Sequence, residues 1–123
     1  MAREILDRLK IHRAILENIG GLPEYRRTVE EVQKAVEKYP IVVVGMRQNP
    51  YPQKARKLLK ERGIQFHYLE YGSYFSEWHR RGALKMWTGW QTFPMIFVKG
   101  LFIGGYDDLK KLLDSGEFAK LVF

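Results

Sequence analysis

Cysteine does not occur anywhere in the 123 residues. Its absence excludes a disulfide framework. It also leaves the chain without a thiolate of its own to attack a disulfide or to hold an iron–sulfur cluster. Long apolar runs are missing too, and none approaches the ~20 residues that cross a bilayer. The opening Met1-Ala2-Arg3-Glu4-Ile5-Leu6-Asp7 interleaves charge with apolar side chains where a secretory signal needs an apolar core. The expectation is a soluble, cytoplasmic protein with no membrane partner. His12, His67 and His79 show no metal-ligand spacing, so no protein-held metal is expected. No P-loop, dinucleotide fingerprint or Ser-His-Asp signature is present. Nothing marks Glu70, Glu77, Asp107 and Asp108 as an acid–base pair.

Acidic residues are the minority, with 14 Asp+Glu against 21 Lys+Arg and a net charge of +7. Such an excess raises the question of a nucleic acid or a membrane surface. The basic residues are spread along the chain, which reads as a solvated face. Phe66, Tyr68, Tyr71, Tyr74, Phe75, Trp78, Trp87 and Trp90 could stack on single-stranded nucleic acid, but their helix and strand spacings read as core. Nucleic acid is therefore not the expected partner. Hydrophobic residues make up 46% of the chain, too many for disorder. The length suits one domain with a real core.

Residues 3–18 are rich in helix formers, and Gly20-Gly21-Leu22-Pro23 punctuates. A second helix ending near Lys38 carries Tyr25, Val29, Val32 and Val36 at spacings of three and four. Thr28 and Glu31 have capping-box spacing, which would start that helix late. Ile41-Val42-Val43-Val44-Gly45 is β-branched and apolar on both faces, as a buried central strand requires. Asn49 then offers an N-cap, with Pro50 at the first helical position. That helix stops near Gly63, and residues 64–71 form the next strand candidate, so strand, helix and strand make a βαβ unit. Ser76 is the expected cap of a further helix anchored by Trp78, Leu84 and Trp87. Phe93–Val98 and Leu101–Ile103 form a hairpin across Lys99-Gly100. A helix follows Gly104-Gly105, and Gly116 separates a short final one. The fold class is α/β: a three-layer α/β/α domain over 41–123 with a four-stranded mixed sheet, preceded by a helical extension over 1–40.

Three segments in that order resemble the glutaredoxins, members of the thioredoxin fold. Asn49-Pro50-Tyr51-Pro52 lies where the family carries Cys-Pro-Tyr-Cys. Trp87-Thr88-Gly89-Trp90-Gln91-Thr92-Phe93-Pro94 is similar to the family's Trp-Pro-Thr-(apolar)-Pro segment, which ends in a cis-proline. Phe102-Ile103-Gly104-Gly105-Tyr106-Asp107-Asp108 is similar to its Gly-Gly-x-Asp turn. The wording also resembles a bacterial group of glutaredoxin-related proteins that share Gly-Met-x-Gln-Asn-Pro-(aromatic), Tyr-Gly-Ser-Tyr and an N-terminal helical extension. The chain departs from the family at both cysteines, replaced by Asn49 and Pro52. It also departs at Gln91, where proline is usual, and in a segment one residue shorter before the motif.

The resemblance implies a glutathione site formed by Arg47, Asn49, Tyr51, Thr92, Phe93, Pro94, Gly105, Tyr106 and Asp107. Glutathione or a protein thiol or peptide is the implied partner, and no cofactor is certain. A cis bond before Pro94 would leave the Phe93 backbone able to pair with an extended peptide. Asp107 is either a ligand for an ammonium group or a helix cap. Arg47 is the first choice for a carboxylate, ahead of Lys54, Arg80 and Arg81. Asn49 is either a plain cap or part of a helix terminus that still receives an anion. An amide cannot exchange disulfides, so no catalytic residue is assigned to the degenerate motif Asn49-Pro50-Tyr51-Pro52. The expected function is a redox-inactive binding module. The alternatives are a glutathione-dependent disulfide oxidoreductase, or a scaffold that meets an unknown protein partner through its N-terminal helices and basic surface. Some glutaredoxins share a [2Fe–2S] cluster through one cysteine per subunit; this chain has none to offer, so a colourless protein is expected.

Overall fold

The computed structural model describes residues 21–122, so the helix expected over 3–18 lies outside the described residues. Helix α1 (Gly21–Lys38) buries Tyr25, Val29, Val32 and Ala35 along one stripe. It starts earlier than the Thr28–Glu31 spacing suggests. Pro23 falls in its first turn, where a missing N–H costs nothing, and the helix runs straight through Thr28. Thr28 is fully buried, and its hydroxyl accepts from Arg80 Nε at 3.3 Å, so it caps nothing.

Strand β1 (Ile41–Gly45) is buried at every residue because it is central. The sheet order is β2-β1-β3-β4, with β2 (His67–Glu70), β3 (Met95–Val98) and β4 (Leu101–Gly104). β1 pairs parallel with β2 and antiparallel with β3, and β3 pairs antiparallel with β4. The parallel pair needs a crossover, supplied by α2 (Pro50–Glu61). The β3–β4 hairpin turns at Lys99 (φ 50°) and Gly100 (φ 83°). Two successive positive φ values match the twist of the flanking strands.

Side chains alternate across the sheet, and β1 divides them cleanly. Val42 and Val44 face one core with Tyr25, Val32, Leu84, Trp87 and Phe97, beneath α1 and α3 (Trp78–Thr88). Ile41 and Val43 face another with Ala55, Leu59, Ile96, Leu109 and Phe118. That second core lies beneath α2, α4 (Tyr106–Ser115) and α5 (Glu117–Val122). Each such buried aliphatic contributes about 1.5–3 kcal/mol. Residues on both sides of position 40 thus share the first core.

α1 is also tied down by a polar cluster. Glu31 accepts from the Tyr71 hydroxyl at 2.6 Å and from Arg80 at 2.7 Å. The Arg80 guanidinium lies over the Tyr71 ring. Burial works against the Glu31 charge, but the two hydrogen bonds and the Arg80 charge outweigh it and hold the carboxyl below its ordinary value. Burial and the Glu31 contact push the Tyr71 hydroxyl well above its ordinary range.

Four expectations between β2 and α3 change. Residues 64–66 precede β2 and Tyr71 follows it, so the strand is shorter than the expected 64–71. Ser76 does not cap α3; the residue before the helix is Glu77 in a left-handed conformation, with no side-chain cap. The Ser76 hydroxyl instead accepts from Ser73 N–H, and its carbonyl accepts from Arg81. Trp78 is no core anchor: it is 52% exposed and stacks on His79. Tyr74 and Phe75 are also exposed, so the aromatic run is not wholly core.

Candidate functional site

β1 ends at Gly45, where a Cβ would lie 2.7 Å from the Pro52 Cβ and 2.8 Å from the Tyr68 hydroxyl. Only glycine lets the first turn of α2 settle this close to the strand. Tyr68 itself is pushed up to about 12, mainly by burial. The connecting turn is pinned by Arg47 N–H donating to the Gly72 carbonyl at 2.6 Å. Gln48 takes a left-handed φ of 70°, unusual for a residue with a side chain.

Asn49 then caps α2, with its Oδ1 accepting from Tyr51 N–H at 3.0 Å. That bond fixes the orientation of the carboxamide and turns Nδ2 toward the neighbouring segment, where it donates to the Phe93 carbonyl at 3.3 Å. The degenerate motif thus still ties the start of α2 to the segment that leads into β3. The Phe93–Pro94 peptide bond is cis.

A cleft of about 200 Å³ opens beside this tie. The start of α2 contributes Tyr51. The 90–94 segment contributes Trp90, Thr92, Phe93 and Pro94, and the start of α4 contributes Gly105, Tyr106, Asp107 and Asp108. The Tyr51 and Tyr106 rings are 6.2 Å apart, one from each helix. At α4, the Asp108 carboxylate accepts from Gly105 N–H at 3.0 Å and caps the helix. It can fold back because Gly104, at φ 108°, has no Cβ; one there would collide with the Asp108 carboxylate. Asp108 therefore takes the capping role that Asp107 was a candidate for, and Asp107 is left exposed on the cleft.

Seven expected site residues meet in this one cleft: Tyr51, Thr92, Phe93, Pro94, Gly105, Tyr106 and Asp107. Asn49 joins them through Phe93. Arg47 is not among the lining residues; its side chain is 62% exposed, with Nε 3.8 Å from the Glu70 carboxylate. Lys54 holds its ammonium 4.8 Å from the Tyr51 ring centre. Arg80 and Arg81 are committed to the fold: Arg80 pairs with Glu31, and Arg81 is 7% exposed and donates to the Tyr71 carbonyl at 2.8 Å. Trp90 and Asp108 line the cleft without having been expected to. The Trp90 indole meets Phe102 edge-on, and its buried Nε1–H has no hydrogen-bond partner among the described residues. The tryptophan beside Thr92-Phe93-Pro94 and the aspartate three residues after Gly105 were the available signals.

A βαβ crossover joined to a ββα hairpin unit, with the cleft where α2, the Pro94 segment and α4 begin, defines a thioredoxin-like fold. The glutaredoxin family model matches residues 41–103. A glutaredoxin-like protein of Dictyostelium discoideum is 50% identical over 88 residues, 72% of each chain. Glutaredoxin-C1 of Arabidopsis thaliana is 32% identical over 99 residues, 80% of this chain and 77% of that one. Among solved structures, wheat glutaredoxin superposes with a TM-score of 0.69 at 28% identity, covering 79% of this chain and 90% of that one. A buckwheat glutaredoxin–glutathione complex shares the fold, with a TM-score of 0.71 at 24% identity over 80% and 89% of the two chains. This chain belongs to the glutaredoxin family. It does so with no cysteine in its sequence.

Proposed function

We propose that this glutaredoxin holds glutathione, or the glutathione-like end of a peptide thiol, and does not catalyse thiol–disulfide exchange. The observation that carries the reading is the convergence of all three motif segments on one cleft, although both motif cysteines are gone. Thr92 and Phe93, in the bend before Pro94, bring backbone to the cleft wall, where a short peptide backbone can hydrogen-bond. The exposed Asp107 in the first turn of α4 attracts an ammonium group. Thiol exchange needs a thiolate that attacks sulfur, and position 49 holds a carboxamide. For the same reason the chain supplies no ligand for a cluster held through cysteine.

Two measurements on the full chain test this together: calorimetric titration with reduced glutathione, and an assay of mixed-disulfide reduction. The reading predicts saturable binding, with turnover no faster than glutathione alone. Turnover above that background would establish the oxidoreductase alternative. No binding at millimolar ligand would remove the cleft reading. The protein-interaction alternative would then stand, favoured by the exposed side chains of Tyr74, Phe75 and Trp78.

A further inference from the structure

A helix N-terminus stabilises an anion through the N–H groups of its first turn, which have no partner within the helix. A thiolate placed there is favoured over the thiol for that reason. At positions 50 to 52, in the first turn of α2, such groups are absent or already bonded. Pro50 and Pro52 have no N–H, and the Tyr51 N–H is spent on the Asn49 Oδ1 at 3.0 Å. Positions 50 to 52 therefore present no free backbone donor toward the cleft. What remains on that side is the Asn49 carboxamide, with one Nδ2 hydrogen already on the Phe93 carbonyl, and the Tyr51 ring.

The charges around the cleft do not make up for the missing donors. From α2, Lys54 sits over the Tyr51 ring; from α3, Lys85 lies 5.9 Å from the Phe93 ring centre. Arg47, before α2, is near Glu70. From α4, Tyr106 and the carboxylates of Asp107 and Asp108 line the cleft itself. Both lysines stand near ring faces, whereas Asp107 and Asp108 line the cleft, Asp108 with its carboxylate held by the Gly105 N–H.

We infer that the cleft accepts the sulfur of a glutathione-type ligand only when it is uncharged, as a thiol, thioether or disulfide, and rejects the thiolate. Asn49 and Pro52 set this selectivity. An S-substituted glutathione is then the ligand class that suits the site at every pH. The inference rests on the proposed glutathione binding.

The test compares reduced glutathione with S-methylglutathione by calorimetry on the wild-type chain at about pH 6.5 and 9.5. The two ligands share the amine and both carboxylates, so the ratio of their dissociation constants isolates the sulfur. With a thiol that ionises near its ordinary value of about 8.5, exclusion of the thiolate weakens glutathione about tenfold relative to the thioether across that range. A ratio that stays constant or falls with pH overturns the inference and leaves glutathione binding standing. Failure of both ligands to bind overturns the functional proposal, and the inference with it. The double variant Asn49→Ala/Pro52→Ala returns two N–H donors to the first turn. It is expected to abolish or reverse the pH trend, and a tenfold rise that survives in that variant would show that the missing donors are not its cause.

Discussion

Replacing Asn49 with alanine removes two contacts at once, the cap on Tyr51 N–H and the donation to the Phe93 carbonyl. Loss of an N-cap costs about 1 kcal/mol. The second bond, at 3.3 Å, adds about 0.5 kcal/mol, the lower end for a neutral hydrogen bond. A total of about 1.5 kcal/mol lowers the melting temperature of a domain this size by about 6 °C. Asn49→Asp separates the two contacts: it keeps the acceptor for Tyr51 N–H and loses the donor to Phe93. It also places a negative charge at the helix N-terminus, a gain of about 0.5 kcal/mol that offsets the lost bond. Thermal unfolding followed by circular dichroism should therefore place Asn49→Ala about 6 °C below wild type and Asn49→Asp within about 2 °C of it. Equal losses in the two variants, or no loss in the alanine variant, would refute the claim that Asn49 both caps α2 and ties it to the Pro94 segment.

Gly45→Ala should destabilise by about 1–3 kcal/mol, because the new methyl meets Pro52 and Tyr68 at under 3 Å and both are packed; denaturant titration measures it. Asp107 is exposed and caps nothing, so Asp107→Ala should leave the melting temperature unchanged and weaken glutathione binding by about fivefold in calorimetry, as for loss of one solvent-exposed ion pair. Glu31 has a folded pKa below its ordinary 4.5, so its contribution is present above that value and is lost as pH falls through the lower, folded one. Glu31→Gln should accordingly flatten the dependence of stability on pH between about 5 and 3, measured by urea unfolding; an unchanged slope would exclude the Glu31–Arg80–Tyr71 cluster as its source.

What the sequence made legible was local. The β-branched run at 41–44, the Asn49-Pro50 helix start and the Lys99-Gly100 turn each carry their signal within a few residues, and each element formed there. What it hid was set by distant partners. Thr28 and Glu31 have the spacing of a cap, but Arg80, about 50 positions further along, claims both of their side chains. Ser76 looks like a helix start, but its carbonyl is engaged by the buried Arg81 and the chain turns left-handed at Glu77 before α3 begins. Arg47, chosen because it stands near the motif, lies near Glu70 instead, and nearness along the chain did not place it in the cleft. The link from Asn49 to Phe93 spans 44 positions and has no local signature. The three motif segments pointed to one site because each retains the residue types that shape its own turn.

The central claim is that a cysteine-free glutaredoxin keeps a working cleft. The most direct test is a titration of the ¹⁵N-labelled chain with reduced glutathione, followed through its amide shifts at neutral pH. The account predicts shifts grouped at Tyr51, at Thr92 and Phe93, and at Gly105 to Asp107, with the amides of α1 unmoved. No shift at millimolar glutathione, or shifts confined to residues away from the cleft, would contradict it.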